Sequence, residues 1–272
     1  MTLHRIAALL LIVFASTGTA SSALAAGLAS LARWGEESTI RVDHSAWGAF
    51  LSKYVVASPD GVNRVRYGAV TGEDRQRLDA YIATLGTVDP TSLGKDEAFA
   101  YWANLYNALT ADLILDRYPV KSIRDIKPSL LAIGPWKMNV VTVRGEQLSL
   151  DDIEHGILRT AWKDNRIHYA VNCASIGCPN LRAEAFTADD LDGALTQAAR
   201  DYVNHPRGAH FDDAGRLVVS SIYDWYREDF GGSEQGVIDH MLRYAGPGLA
   251  ERLQRARGIA RYDYDWTLND AK

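Results

Sequence analysis

Five side chains capable of nucleophilic or acid–base chemistry fall within 25 residues: Glu154, His155, His168, Cys173 and Cys178. They include both cysteines of the chain and two of its seven histidines. A cysteine attacks as its thiolate, so it needs a base, and the base needs a group that orients it. Cysteine, imidazole and a carboxylate or amide together make a triad suited to acyl transfer. Cys173 is the candidate nucleophile, His168 the candidate base and His155 the competing base. Glu154 is a candidate orienting or binding carboxylate. It is the sequence neighbour of His155, so on a regular helix it points elsewhere and cannot simply orient that ring. Backbone N–H groups of the 173–178 loop are counted here as donors for an oxyanion.

Two other chemistries compete for the same residues. Cysteines five positions apart form a disulfide readily in an exported chain, and Ser175, Gly177 and Pro179 suit so small a loop. The five side chains also carry zinc-ligand atoms. Their spacing matches neither paired C-x-x-C nor H-E-x-x-H, so no metal is expected. The chain has no phosphate loop, G-x-G-x-x-G or G-x-S-x-G, so no cofactor is expected either.

The elements that must position these groups are readable in part. Apolar spacing predicts helices over 43–55, 71–85 and 95–118, the last capped by Asp96 and ended by Pro119. On that long helix Asn104 and Asn107 share a narrow stripe with Ala100 and Ala111. Asparagine is a poor helix-interior residue, so the stripe predicts hydrogen bonding, to a polar substrate group or to a neighbouring loop. Residues 138–148 read as a hairpin, and Ser149 to Asp152 as a capping box with a shortened acid that opens a helix to about Trp162. Residues 166–172 read as a mostly buried strand. In such a strand His168 and Cys173 face opposite sides, and they meet only if the chain turns near Asn172. A helix over 187–204 capped by Thr187, a hairpin over 210–220, helices near 222–230, 234–245 and 247–257, and an alternating tail at 262–266 complete the pattern. Helices first and hairpins later predict an α+β fold, one domain over 43–270 with helices packed on a small, mainly antiparallel sheet.

The chain has 272 residues, 47% of them hydrophobic, and a net charge of −5. This balance excludes disordered and collagen-like classes and argues against nucleic-acid partners. Residues 1–25 read as a cleaved secretory signal: Arg5, an apolar run from Ile6 to Ala15, and Ala23-Leu24-Ala25 at the cleavage point. The mature product, opening with a lead-in over 26–42, is then exported to the periplasm or beyond, with no stable membrane anchor.

Five stretches, AFAYWANLYNALT (98–110), SLDDIEHGILR (149–159), RIHYAVNCASIGCPNLR (166–182), SIYDWYREDF (221–230) and YDYDWTLN (262–269), resemble in order the motifs of the domain of unknown function 547 family. The resemblance starts near Asp43. It implies that Glu154, His155, His168, Cys173 and Cys178 stand at family pattern positions. Related plant domains lack an exported context, which favours a thiol site or redox-sensitive pair over a purely structural disulfide. The element order is also faintly similar to papain-like and transglutaminase-like enzymes, in which a cysteine opens the central helix. Here that helix offers Asn104 and Asn107 instead, so Cys173 would be a relocated nucleophile. The expected activity is a Cys/His-dependent hydrolase or acyltransferase on amide or peptide-like substrates. The alternative is a non-catalytic module whose pocket, stapled by Cys173–Cys178, binds a small or peptide-like ligand.

Overall fold

Thr71 Oγ1 accepts the backbone N–H of Asp74 at 3.2 Å and so satisfies one of the orphan donors at a helix start. It opens α2 (Gly72–Thr87), which follows α1 (Ser45–Tyr54) and the hairpin of β1 (Val55–Ala57) and β2 (Asn63–Val65). The computed structural model describes residues 25–129 and 132–271. The expected signal segment 1–25 lies outside these, apart from Ala25. The lead-in departs from its weak pattern: residues 25–31 are helical, Leu31 is fully buried and Trp34 packs on Trp162.

The axis of the fold is α3 (Lys95–Arg117), in which every residue from Glu97 to Ala111 is buried. Its cap is Gly94 rather than Asp96. Asp96 and Glu97 instead occupy the first turn, where carboxylates complement the helix dipole. The helix ends before Pro119, which has no N–H to continue the ladder. β3 (Val141–Val143) and β4 (Glu146–Leu148) form the expected hairpin, with Arg144 and Gly145 both at positive φ in the turn. The Ser149 box is present: Ser149 Oγ accepts the Asp152 N–H, and Asp152 Oδ2 accepts the Ser149 N–H. It opens a π-helical stretch, Asp152–Leu158, that runs into α4 (Arg159–Trp162).

Residues 166–172 are not a strand. They form a short helix, α5 (Ile167–Ala170), and then extended chain from Val171. Asp164 starts the turn by accepting both the backbone N–H and the guanidinium of Arg166. Ile167 to Ala170 are all buried, because α5 lies between two apolar clusters. A helix buried on every side has the same unbroken apolar pattern as a buried strand. Ile167 and Ala170 join the cluster around α1–α3, and Tyr169 joins the second.

That second cluster takes residues from the C-terminal half of α6 (Leu191–Val203), whose first half packs in the other cluster, and from β5 (Ala209–Phe211), β6 (Leu217–Ser220), α7 (Ile222–Trp225), α8 (Glu234–Leu242) and α9 (Pro247–Gln254). Thr187 makes no side-chain cap; a 3₁₀ turn, Ala188–Asp190, leads into α6. β7 (Ile259–Asp263) pairs parallel with β6, which pairs antiparallel with β5. The fold is α+β, and the strands among the described residues lie in three small sheets rather than one. His168 lies on α5 and not on a strand, which removes the strand-borne histidine of a papain-like layout.

Candidate functional site

After α5 the chain is held by amides. Asn107 on α3 donates to Ala170 O at 2.9 Å and accepts the Asn172 N–H at 2.8 Å. Asn172 in turn donates to Pro179 O and accepts the Ala174 N–H. Ala174 takes a left-handed conformation (φ 56°), which supplies the turn expected near Asn172. The loop therefore closes, and Cys173 Sγ lies 2.9 Å from Cys178 Sγ, both as free thiols. The Tyr264 hydroxyl is 3.0 Å from Cys173 Sγ and the Ser175 hydroxyl 3.3 Å. The tail that carries Tyr264 is laced to the loop by Ile176 N–H to Thr267 O and Gly177 N–H to Asp265 O. A Cβ on Gly177 would stand 2.8 Å from the Asp265 nitrogen, so only glycine permits this approach.

These contacts divide the two sulfurs. The hydrogen bond with Cys178 holds the Cys173 thiol below its ordinary value, against burial and with help from Ser175 and Tyr264. Burial pushes the Cys178 thiol well up, and Cys173 beside it adds to the effect. Cys173 is half-buried and Cys178 buried. In this pair Cys173 is the sulfur suited to attack.

A second group faces the same space. His168 Nε2 lies 2.7 Å from Asp229 Oδ2, which also accepts Arg159 Nε–H at 2.6 Å. These two partners hold the Asp229 carboxyl well below the usual carboxylate range, although burial opposes them. The His168 ring stacks on Tyr226 with centroids 4.1 Å apart, and Arg159 lies over the same tyrosine. His168 Nδ1 has no hydrogen-bond partner among the described residues and stands 3.8 Å from Glu154 Oε1. Glu154 is buried and accepts the Tyr106 hydroxyl at 3.1 Å. The π-helical stretch lets the neighbours Glu154 and His155 line one space; such turns recur at functional sites.

Both groups line a cleft of about 540 Å³. Cys173, Glu154, His155 and His168 contribute polar groups to its lining, and Trp136, Trp225, Trp266 and Ile133 also line it. Trp225 and Ile133 are 47% and 66% exposed, two of the three large exposed apolar side chains among the described residues. Convergent polar groups in a largely apolar concavity are the usual make-up of a small-ligand site.

The five clustered residues thus share one cleft, but they do not form a Cys–His dyad. The hydrogen-bond partners of Cys173 Sγ are Cys178, Ser175 and Tyr264, and His168 is bound to Asp229 instead. His155 is directed toward Asp151 and Arg159. Asn104 and Asn107 are outside the cleft lining. Asn104 exchanges two hydrogen bonds with the Phe186 backbone, and Asn107 holds Ala170 and Asn172. Their amides bind the protein's own loops, which corrects their assignment to substrate. Most of the loop's backbone donors are also engaged: the N–H groups of 173, 174, 176, 177 and 178 bond within the protein, which leaves that of Ser175. Asp229, Arg159, Tyr226 and Tyr264 are site residues that sequence spacing does not single out; their one signal is membership of the motifs at 149–159, 221–230 and 262–269. Among the described residues no group of three or more His, Cys, Asp or Glu side chains is arranged to hold a metal ion.

No curated protein and no solved structure matches the chain. One family model does, over residues 90–203, a stretch that holds α3, the Glu154–His155 turn, α5 and the cysteine loop. Over that stretch, which supplies most of the cleft's polar lining, the chain resembles the family described as Protein of unknown function, DUF547.

Proposed function

We propose that the protein is an exported thiol enzyme, a hydrolase or acyltransferase acting on amide or peptide-like substrates, with Cys173 as nucleophile. The observation that carries this reading is a half-buried thiol, flanked by the Tyr264 and Ser175 hydroxyls, in the lining of a cleft that Glu154 and His168 also line. Cys173 attacks the carbonyl carbon as thiolate, and the acyl group passes to sulfur as the amine departs. The proton that Cys173 gives up is the one the departing amine needs, and Glu154 with His168 behind it would take it up and return it. Water or an acceptor nucleophile then takes the acyl group from Cys173. With five of the loop's six amides engaged, the Ser175 N–H and hydroxyls such as that of Tyr264 are the donors left for the oxyanion. The exposed Trp225 and Ile133 suit an apolar portion of the ligand. The export assignment rests on the pattern of residues 1–25 alone.

Exposure to 4-nitrophenyl acetate, followed by peptide mass analysis, tests this. The expected result is an acetyl group on Cys173, formed about tenfold or more faster than on free cysteine at the same pH, and absent from Cys173→Ala. Acetylation at the free-cysteine rate would remove the reading. The short Sγ–Sγ distance favours a second reading, a ligand-binding pocket stapled by a Cys173–Cys178 bridge. In that case the aerobically purified protein resists alkylation until it is reduced.

A further inference from the structure

Acyl transfer leaves Cys178 without a chemical role. Its sulfur is nevertheless the nearest one to Cys173, at 2.9 Å, and it accepts the Cys173 backbone N–H at 3.0 Å. A disulfide bond is about 2.05 Å long, so an approach of less than about 1 Å would join the two. We propose that the pair performs thiol–disulfide exchange on a small or peptide disulfide held in the cleft, with Cys173 attacking and Cys178 resolving.

Three features of the site support this. Access is unequal: Cys173 is half-buried, whereas Cys178 is 4% exposed, so an incoming disulfide meets Cys173 first. Stabilising donors are placed for both steps. Tyr264 and Ser175 flank Cys173 Sγ and favour its thiolate, and the Cys173 N–H points at Cys178 Sγ, where it favours negative charge as that thiol deprotonates. Finally, attack on sulfur forms no oxyanion and expels a thiolate that needs no prior protonation. A loop in which five of six backbone amides are already bonded is no handicap to that chemistry, whereas it leaves acyl transfer only the Ser175 N–H from this loop.

The steps balance. Cys173 thiolate attacks one sulfur of R–S–S–R′, its new S–S bond replaces the old one, and R′–S⁻ departs and is protonated. Cys178 then loses its proton and attacks Cys173 Sγ, and R–S⁻ departs and takes up a proton. Two electrons pass from the protein dithiol to the substrate, which leaves as two thiols, and the protein ends as the Cys173–Cys178 disulfide. A dithiol substrate drives the same steps in reverse.

Glutathione disulfide is a suitable probe, with acid quenching and intact-mass readout on the fully reduced protein. The wild type is expected to lose two hydrogens and carry no lasting adduct. Cys178→Ser is expected to stop with one glutathionyl group on Cys173. Cys173→Ser is expected to react about tenfold or more slowly than wild type. A stable glutathionyl adduct on the wild type, or rapid reaction of Cys173→Ser through Cys178, would overturn the proposal. A wild-type titration in glutathione redox buffers keeps it testable should a variant fail to fold. Both thiols should disappear together, and independent loss of one would count against it. The acetylation experiment uses a different electrophile. Exchange without acetylation removes only the hydrolase reading, and acetylation without exchange removes only this one.

Discussion

Acidification from pH 7 to pH 5 is expected to cost the fold about 2–3 kcal/mol, most of it through two buried histidines outside the cleft. Burial pushes His44 from 6.5 to about 4, with Asp43 pulling weakly the other way. Burial likewise takes His240 to about 4, helped by Arg243 and His168 and opposed by Asp164. Each ring uses one nitrogen, His44 Nδ1 with the Tyr81 hydroxyl at 2.6 Å and His240 Nε2 with the Tyr169 hydroxyl at 2.7 Å, and leaves the other without a partner. A proton added to that second nitrogen is buried without an acceptor.

The folded pKa is depressed in both cases, so the unfolded chain binds more protons between 6.5 and about 4. Stability is therefore complete above about pH 6.5 and declines as pH falls toward 4. At pH 5 each histidine accounts for about 2 kcal/mol. Asp112 acts in the opposite sense. Burial outweighs Arg75 and pushes its carboxyl up to about 6, so it stabilises the fold as pH falls and offsets about 1 kcal/mol. Urea melts followed by tryptophan fluorescence at pH 7 and pH 5 measure the net change. Equal stability at the two pH values would show that neither ring is held neutral. His240→Gln should abolish about two-thirds or more of the net slope while lowering stability at pH 7.

Local chemistry was the legible part of this chain. The Ser149 box and the Arg144-Gly145 turn each depend on residues within three positions, and each folds as its sequence reads. The α5 segment misleads because periodicity reports exposure, and Ile167 to Ala170 have none to report. The five clustered residues do reach one cleft, but their partners come from far along the chain. Asp229 is 61 residues from His168, and Tyr264 is 91 from Cys173. No spacing rule links such positions, so the sequence suggested a dyad where the fold builds two separate groups. The Asn104–Asn107 stripe was legible as buried hydrogen bonding. Its partner was not, since an amide serves a loop backbone and a ligand equally well.

Of these two amides, Asn107 controls the site more directly, because it holds the chain on both sides of Val171 and so sets where Cys173 begins. Asn107→Ala should leave the Ala170 carbonyl and the Asn172 N–H buried without partners, at a cost of about 1–3 kcal/mol for each group not rescued by water. For a chain of this size, each kcal/mol lowers Tm by roughly 2–4 °C. The same change should alter the alkylation rate of Cys173, since the turn at Ala174 hangs from Asn172. Asn107→Asp separates the two bonds. Its carboxylate still accepts the Asn172 N–H but presents an oxygen to the Ala170 carbonyl, where Asn107 Nδ2 had donated. Protonation restores that donor, so the aspartate variant should recover toward wild type on going from pH 7 to pH 5, in the opposite direction to the histidine-driven trend of the parent. Melts of the three proteins at both pH values provide the comparison. An aspartate variant that loses as much stability as wild type over this interval would mean that the Ala170 bond contributes nothing, and that the loop is held by Asn172 and the Tyr264 tail alone.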